Sequence, residues 1–276
     1  MNNFSKRTLS GLIFVMLIVS SILISPVSFI IVFGAVVYLA SYEFFGFKKK
    51  VFNKRDRVFF SAISVVIFLA GFNIASDDLN FPYVIFLVPF FVLLDFFFLL
   101  RDRKKLLPKL SYGITGWLYI AIPFSILNFL AYHFNNNEFS SVFLLSIFIL
   151  IWTNDTFAYL VGNYFGKHSL FYQISPKKTV EGFWGGLVFS VLAGWIISLY
   201  SPFLNASMWL IIGLIVSLTG NLGDLTESAF KRNVDIKDSG KIIPGHGGVL
   251  DRFDAAIFVF PSVYFVLLLM NNISLF

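Results

Sequence analysis

NLGDLTESAFKRNVDIKDSGKIIPGHGGVLDRFD, Asn221–Asp254, is a polar, charged, glycine-bearing stretch set between two long apolar runs. It carries Asp224, Glu227, Asp235, Asp238, Asp251 and Asp254, together with Lys231, Arg232, Lys237, Lys241 and Arg252. The chain as a whole is 58% hydrophobic and 13% charged, against roughly 25% charged in soluble domains. A soluble domain cannot hide 37 phenylalanines. The flanking runs therefore read as membrane helices, and the class as an all-α polytopic membrane protein. Turning a chain round at a membrane surface does not require this density of charge. The stretch is the candidate seat of chemistry.

Spanning a bilayer takes about 17–25 apolar residues. Runs of that kind fall at about 9–25, 27–46, 58–75, 81–100, 110–132, 140–161, 182–200, 205–223 and 253–271. These predict nine transmembrane helices. With the N-terminus cytoplasmic and one crossing per run, the cytoplasmic segments are 1–8, 47–57, 101–109, 162–181 and 224–252. They hold all 21 Lys and Arg residues. The opposite segments offer only Asp77, Asp78, Glu138 and amides, a complete positive-inside separation. The C-terminus then lies outside. The basic pair Lys6-Arg7 before Leu9–Ile24 resembles a signal sequence, but no small-x-small cleavage site follows. A second apolar run starts almost at once after Pro26, so the first helix reads as retained and Ser25-Pro26 as a tight hairpin. The net charge of +6 fits cytoplasmic loops facing anionic headgroups, with no nucleic-acid partner. With Cys 0, a disulfide framework, a thiol catalyst and a Cys zinc site are excluded.

Residues 1–109 read as a four-helix membrane scaffold of Phe, Val, Ile and Leu. Residues 110–276 read as a five-helix catalytic region with active-site loops 162–181 and 224–252. Two acids interrupt the scaffold. Glu43, close to the end of its helix, can simply reach the interface. Asp95 lies deeper, and pairing with Arg101 or Arg103 is its favoured role over contact with a substrate.

Three polar constellations stand on the cytoplasmic side. In the first, Asp155, Tyr159 and Gly162 recur at helical spacing. Either they form a packing face with a buried hydrogen bond, or Asp155 lines a cavity open to the cytoplasm. Gly162 to Lys167 is not a phosphate loop: a Walker loop needs four residues between its glycines and Ser or Thr after the lysine, and here His168 follows. The second is Ser175-Pro176-Lys177-Lys178-Thr179-Val180-Glu181-Gly182. Thr179 is the expected N-cap. Lysines at a helix N-terminus disfavour the helix dipole, but together with the free N–H groups they make an anion cradle.

The third is the opening stretch. Asn221, Asp224, Glu227, Ser228 and Lys231 share one face if their helix continues past the bilayer. Carboxylates then stand at both helix ends, Asp224 with Glu227 and Asp251 with Asp254, joined by one loop. Oxygen donors without cysteine suit Mg²⁺, held by one or two carboxylates plus substrate phosphates, with room for a second ion. Lys231, Arg232, Lys237 and Arg252 can neutralise phosphate charge, and the turn at Gly247-Gly248 lets backbone approach a ligand. His246 reads as a phosphate contact or loop organiser rather than a base, because a phosphate nucleophile is already ionised near neutral pH.

These residues resemble the phosphatidate cytidylyltransferase family, the CDP-diacylglycerol synthases. Ser228-Ala229-Phe230-Lys231-Arg232, Lys237-Asp238, Pro244-Gly245-His246-Gly247-Gly248 and Asp251-Arg252-Phe253-Asp254 match its signature at every defining position. The runs Asp155–Lys167, Ser175–Gly186 and Gly223-Asp224-Leu225 resemble its upstream elements. Asn163 departs from the basic residue common there. The resemblance implies cytidylyl transfer from CTP to phosphatidic acid, giving CDP-diacylglycerol and pyrophosphate. It further implies a homodimer in a bacterial inner membrane and a metal site at the cytoplasmic face with Asp224 and Asp251 as ligands. Glu227 and Asp254 follow as ligands or orienters of lower rank. Lys231, Arg232, Lys237 and Arg252 are expected on the phosphates. Asp155, Ser175, Lys177, Lys178, Thr179, Glu181, Ser228, His246, Gly247 and Gly248 are expected around the substrates. A CTP-dependent lipid-alcohol kinase is the enzyme alternative. An anionic-solute transporter is the other, although the first half of the chain lacks the polar residues that a paired-repeat transporter needs.

Overall fold

The computed structural model describes residues 3–76, 106–132, 138–201, 203–243, 245 and 247–273. The expected span 81–100, with Asp95, lies outside the described residues, as do Pro244 and His246. Among the described residues, 7 helices are long and apolar enough to cross a membrane, and a shorter apolar helix, Thr8–Ile24, precedes them. The protein is a polytopic, predominantly α-helical integral membrane protein. The chain forms two compact units, Met1–Phe139 with Ile236–Phe253, and Ser140–Asp235 with Asp254–Phe276.

The first unit contains α1 (Asn3–Ile24), α2 (Pro26–Gly46), α3 (Lys54–Ala75), α4 (Leu106–Gly116) and α5 (Ile122–Tyr132). Only Ser25 separates α1 from α2, as the Ser25-Pro26 hairpin requires. Ser25 and Ser28 exchange backbone-to-hydroxyl bonds of 3.1 and 3.0 Å, and Pro26 occupies the first turn, where its missing N–H costs nothing. Asn53 and Asp56 build the same reciprocal cap on α3. Asp56 also pairs with the buried Lys109 of α4 at 2.9 Å. The Arg57 guanidinium donates to the Tyr42 carbonyl at 2.8 and 3.1 Å and lies 3.9 Å over the Tyr42 ring. Some of the basic residues on this side are thus structural.

The phenylalanines form this unit's core. Phe44 stacks on Tyr112 at 4.8 Å, Phe52 meets Phe60 edge-on at 5.0 Å, and Phe60 stacks on Trp117 at 5.4 Å. Within lipid such rings gain close packing rather than escape from water, so ring geometry carries the energy, about 0.5–1.5 kcal/mol per pair. The expected single helix 110–132 contains a π turn, Trp117–Ala121, between α4 and α5. Pro123 follows and has no N–H to return to the Tyr119 carbonyl, and the wider turn takes up the mismatch.

The second unit contains α6 (Ser141–Phe165), β1 (Ser169–Phe171), β2 (Ser175–Thr179), α7 (Val180–Ser198), α8 (Ala206–Arg232) and α9 (Leu250–Ile273), the last from Asp254 onward. Small residues bring α6, α7 and α8 together. A Cβ on Gly182 would stand 2.6 Å from the Ala158 carbonyl oxygen, so α7 crosses α6 at backbone distance. The Ser190 hydroxyl donates to the Gly213 carbonyl at 2.9 Å, tying α7 to α8.

Several helices run further than their apolar runs, three of them around the polar stretches. α6 reaches Phe165, α8 reaches Arg232, and α9 begins at Leu250 rather than near 253. Hydropathy stops where polar side chains begin, whereas backbone hydrogen bonding continues past that point. The 162–181 segment is also not all loop. β1 and β2 pair antiparallel, with Ser169 opposite Thr179, a small exception to an all-α reading.

Candidate active site

In the second unit the continuation of α8 puts Asn221, Asp224, Glu227, Ser228 and Lys231 on one helix, on the polar face their spacing predicts. Thr179 is the N-cap of α7, as expected: its hydroxyl accepts from the Gly182 N–H at 3.1 Å. That cap fixes where β2 hands over to α7 and so where Lys178 points. Lys178 Nζ lies 2.6 Å from Asp224 Oδ2 and 3.4 Å from Asn221 Oδ1. Ser228 donates to the other Asp224 oxygen at 3.3 Å. Asp224 is therefore oriented from both sides, by an ammonium and a hydroxyl. Lys178, expected in an anion cradle, is directed at a carboxylate, while Lys177 on β2 is exposed.

Glu227 is fully buried and accepts from Lys231 Nζ at 2.8 Å, an i,i+4 pair within α8. Asp254 accepts from the Ala255 N–H at 2.8 Å. It lies in the field of Asp224 and Asp155, with Lys231 opposing them. Carboxylates from α6 and α8 thus act on the Asp254 carboxylate of α9 within the unit. Asp155 is exposed on α6, and its Oδ1 accepts from Asn154 at 3.2 Å. Glu181 is turned to its own hairpin. It accepts from the backbone N–H groups of Lys167 and His168 at 3.1 and 3.3 Å, and its other oxygen is 2.7 Å from His168 Nδ1. Ser175 sits opposite Phe171 in the ladder.

In the first unit the loop from Ile236 to Val249 is shaped around Asp251, which stands in the first turn of α9. Both Asp251 oxygens accept from the Ser239 N–H, at 3.0 and 3.2 Å, and Oδ2 also accepts from the Gly248 N–H at 2.8 Å. Gly247 takes φ +85°, a left-handed conformation that side chains resist, and its N–H side of the turn is closed by Ile243 N–H donating to the Gly247 carbonyl at 3.0 Å. The Gly-Gly pair thus delivers backbone to a carboxylate. Lys237 and Arg252 are exposed, as is Arg232 in the second unit.

From sequence Glu43 is expected simply to reach the interface, but the structure buries it. It is 4% exposed, and its Oε2 accepts from the Ser239 hydroxyl at 3.0 Å and from the Leu250 N–H at 2.9 Å. The available signal was an acid in an otherwise apolar helix; what could not be read was a partner 207 positions away.

As for a metal, no three acidic or histidine side chains converge closely enough to cage an ion among the described residues. Mg²⁺ takes one or two protein carboxylates and completes its shell from phosphates and water. Asp224 and Asp251 suit it in kind: both are hard oxygen donors, each oriented by hydrogen bonds from neighbouring groups.

The helices and these carboxylates define an integral membrane protein whose polar chemistry is gathered at helix ends. The chain belongs to the cytidylyltransferase family, whose model matches residues 5–270. This bears out the resemblance drawn from the motifs and extends it into the first helices, where the motifs are silent. Proteins named phosphatidate cytidylyltransferase are similar to it. That of Staphylococcus saprophyticus subsp. saprophyticus is 39% identical over 180 residues, 64% of this chain and 66% of its own length. That of Staphylococcus haemolyticus is 35% identical over 213 residues, 76% of this chain and 79% of its own. That of Staphylococcus aureus is 39% identical over 180 residues.

Proposed function

We propose that the protein transfers cytidylyl from CTP to phosphatidic acid, releasing pyrophosphate and leaving CDP-diacylglycerol in the membrane. The observation that carries this reading is the full-length family match, joined to relatives that bear the name phosphatidate cytidylyltransferase. The phosphate oxygen of the lipid attacks the α-phosphorus of CTP, and the bond to the β-phosphate oxygen breaks. The nucleophile is already an anion, so positioning and charge neutralisation are the protein's tasks.

Asp224 and Asp251 are the proposed metal-binding carboxylates, with Glu227 and Asp254 behind them. A Mg²⁺ there supplies charge neutralisation on the triphosphate and an orienting template. The pairs in the structure refine the remaining roles. Arg232, Lys237 and Arg252 are exposed and are proposed to meet phosphates. Lys231 holds Glu227, and Lys178 holds Asp224 until substrate phosphate draws it away. Asp155 is proposed to line the lipid headgroup's approach. Topologically, the reading takes nine crossings with the N-terminus and the site cytoplasmic, the C-terminus outside, a bacterial inner membrane, and a homodimer.

Purified protein in detergent, given Mg²⁺, phosphatidate and CTP labelled in the cytidine, should move the label into lipid. EDTA should stop transfer and leave the helical circular dichroism unchanged. Label appearing as CDP with a phosphorylated lipid alcohol would instead establish the kinase reading.

A further inference from the structure

Glu43 sits in the last turn of α2, surrounded by phenylalanines, where a carboxylate is costly to hold. Its contacts explain its presence. One oxygen takes the Ser239 hydroxyl at 3.0 Å and the Leu250 N–H at 2.9 Å, across 196 and 207 residues of chain. The other is buried with no hydrogen-bond partner among the described residues, and Gly240 lies directly on it: a Cβ at Gly240 would collide with the carboxylate. A Cβ at Gly248 would strike both the Glu43 carboxylate and the Ser239 hydroxyl. Ser239 and Gly248, the residues closed onto Glu43, are the same two whose N–H groups hold Asp251. One buried acid therefore grips both sides of the loop and the first N–H of the helix that carries Asp251.

We propose that Glu43 is a positioning residue for the transfer reaction: it clamps the 239–250 loop and thereby sets the direction of the Asp251 carboxylate. The proposal rests on the reading of Asp251 as a metal-binding group. It is tested on the full-length protein with E43A, E43Q and G240A. Lys237 and Lys241 flank Ser239 and are exposed, so trypsin reports whether the loop is held. In E43A, nicking at these lysines should speed up about tenfold or more. Mn²⁺ binding, read by electron paramagnetic resonance, should weaken about tenfold. The kcat should fall about 10²-fold, with the KM for CTP changed far less. E43Q should restore most of this, since one amide oxygen can accept both donors. If E43A is not recovered folded, G240A decides, because its Cβ forces the loop away from an intact Glu43 and should reproduce the same changes.

Nicking at the wild-type rate in E43A or G240A overturns the clamp. Faster nicking with unchanged Mn²⁺ binding and kcat overturns its link to Asp251. Should the wild-type protein transfer no cytidylyl, the functional reading falls, and nicking and Mn²⁺ binding still judge the clamp.

Discussion

At the scale of single residues, Asp251 shows how backbone orients a carboxylate. Its two oxygens accept from two backbone N–H groups, and it stands at a helix N-terminus where negative charge is favoured. Asn would be nearly the same size but has a single acceptor oxygen, and its NH₂ would face an N–H. D251N is therefore expected to lower cytidylyl transfer by about 10²-fold or more. Labelled CTP measures this, and a variant with full turnover would remove Asp251 from the metal site. Asp224 is oriented differently, by Lys178 and Ser228. Its identity as a candidate was plain from its position after an apolar run. Its pairing with Lys178 was not, because the two are 46 positions apart and nothing in local sequence specifies the partner.

At the scale of elements, the junction of β2 with α7 is the piece on which the second unit's geometry turns. Thr179 caps α7, ends β2 and lies against Gly162 and Gly166 at the end of α6. T179A should destabilise the protein by about 1 kcal/mol through the lost cap, while T179S should keep it. Thermal unfolding in detergent checks both, and equal stability of T179A and T179S would show that the hydroxyl does not hold the junction. The cap itself was legible in sequence, as a hydroxyl residue between a Pro-bearing polar stretch and an apolar run, with Glu181 soon after. The hairpin before it was not, since Ser169–Phe171 and Ser175–Thr179 are too short to show a period of two. Helix overrun was partly legible. The polar spacing in α8 required helix past the bilayer, whereas nothing in the apolar run near 253 marked a start at Leu250.

For the molecule as a whole, the charge separation makes a prediction that needs no knowledge of the site. The chain has Cys 0, so a single introduced cysteine reacts without background. In intact cells, K48C and K177C should resist a membrane-impermeant maleimide, and E138C should react with it. Labelling of K177C from outside would invert the orientation and move the proposed active site to the wrong side for CTP. Lys48, Lys177 and Glu138 lie outside the helices, so the substitutions leave the helices intact.

The sequence by itself determined the class, most of the spans, their expected sidedness and the identity of the acids at the helix ends. These follow from how each residue partitions between lipid and water and from spacing along one helix, which are local properties. Only the tertiary structure decided which polar groups meet. It directed Lys178 to Asp224, turned Glu181 to its own hairpin, and drew Glu43 away from the interface onto Ser239 and Leu250, beside Asp251. A buried carboxylate is tolerated only where donors converge on it, and which donors do so depends on how distant helices and loops pack. The Asn221–Asp254 stretch is thus set apart by its own residues, but what holds its Asp251 end in place comes from the second helix of the chain.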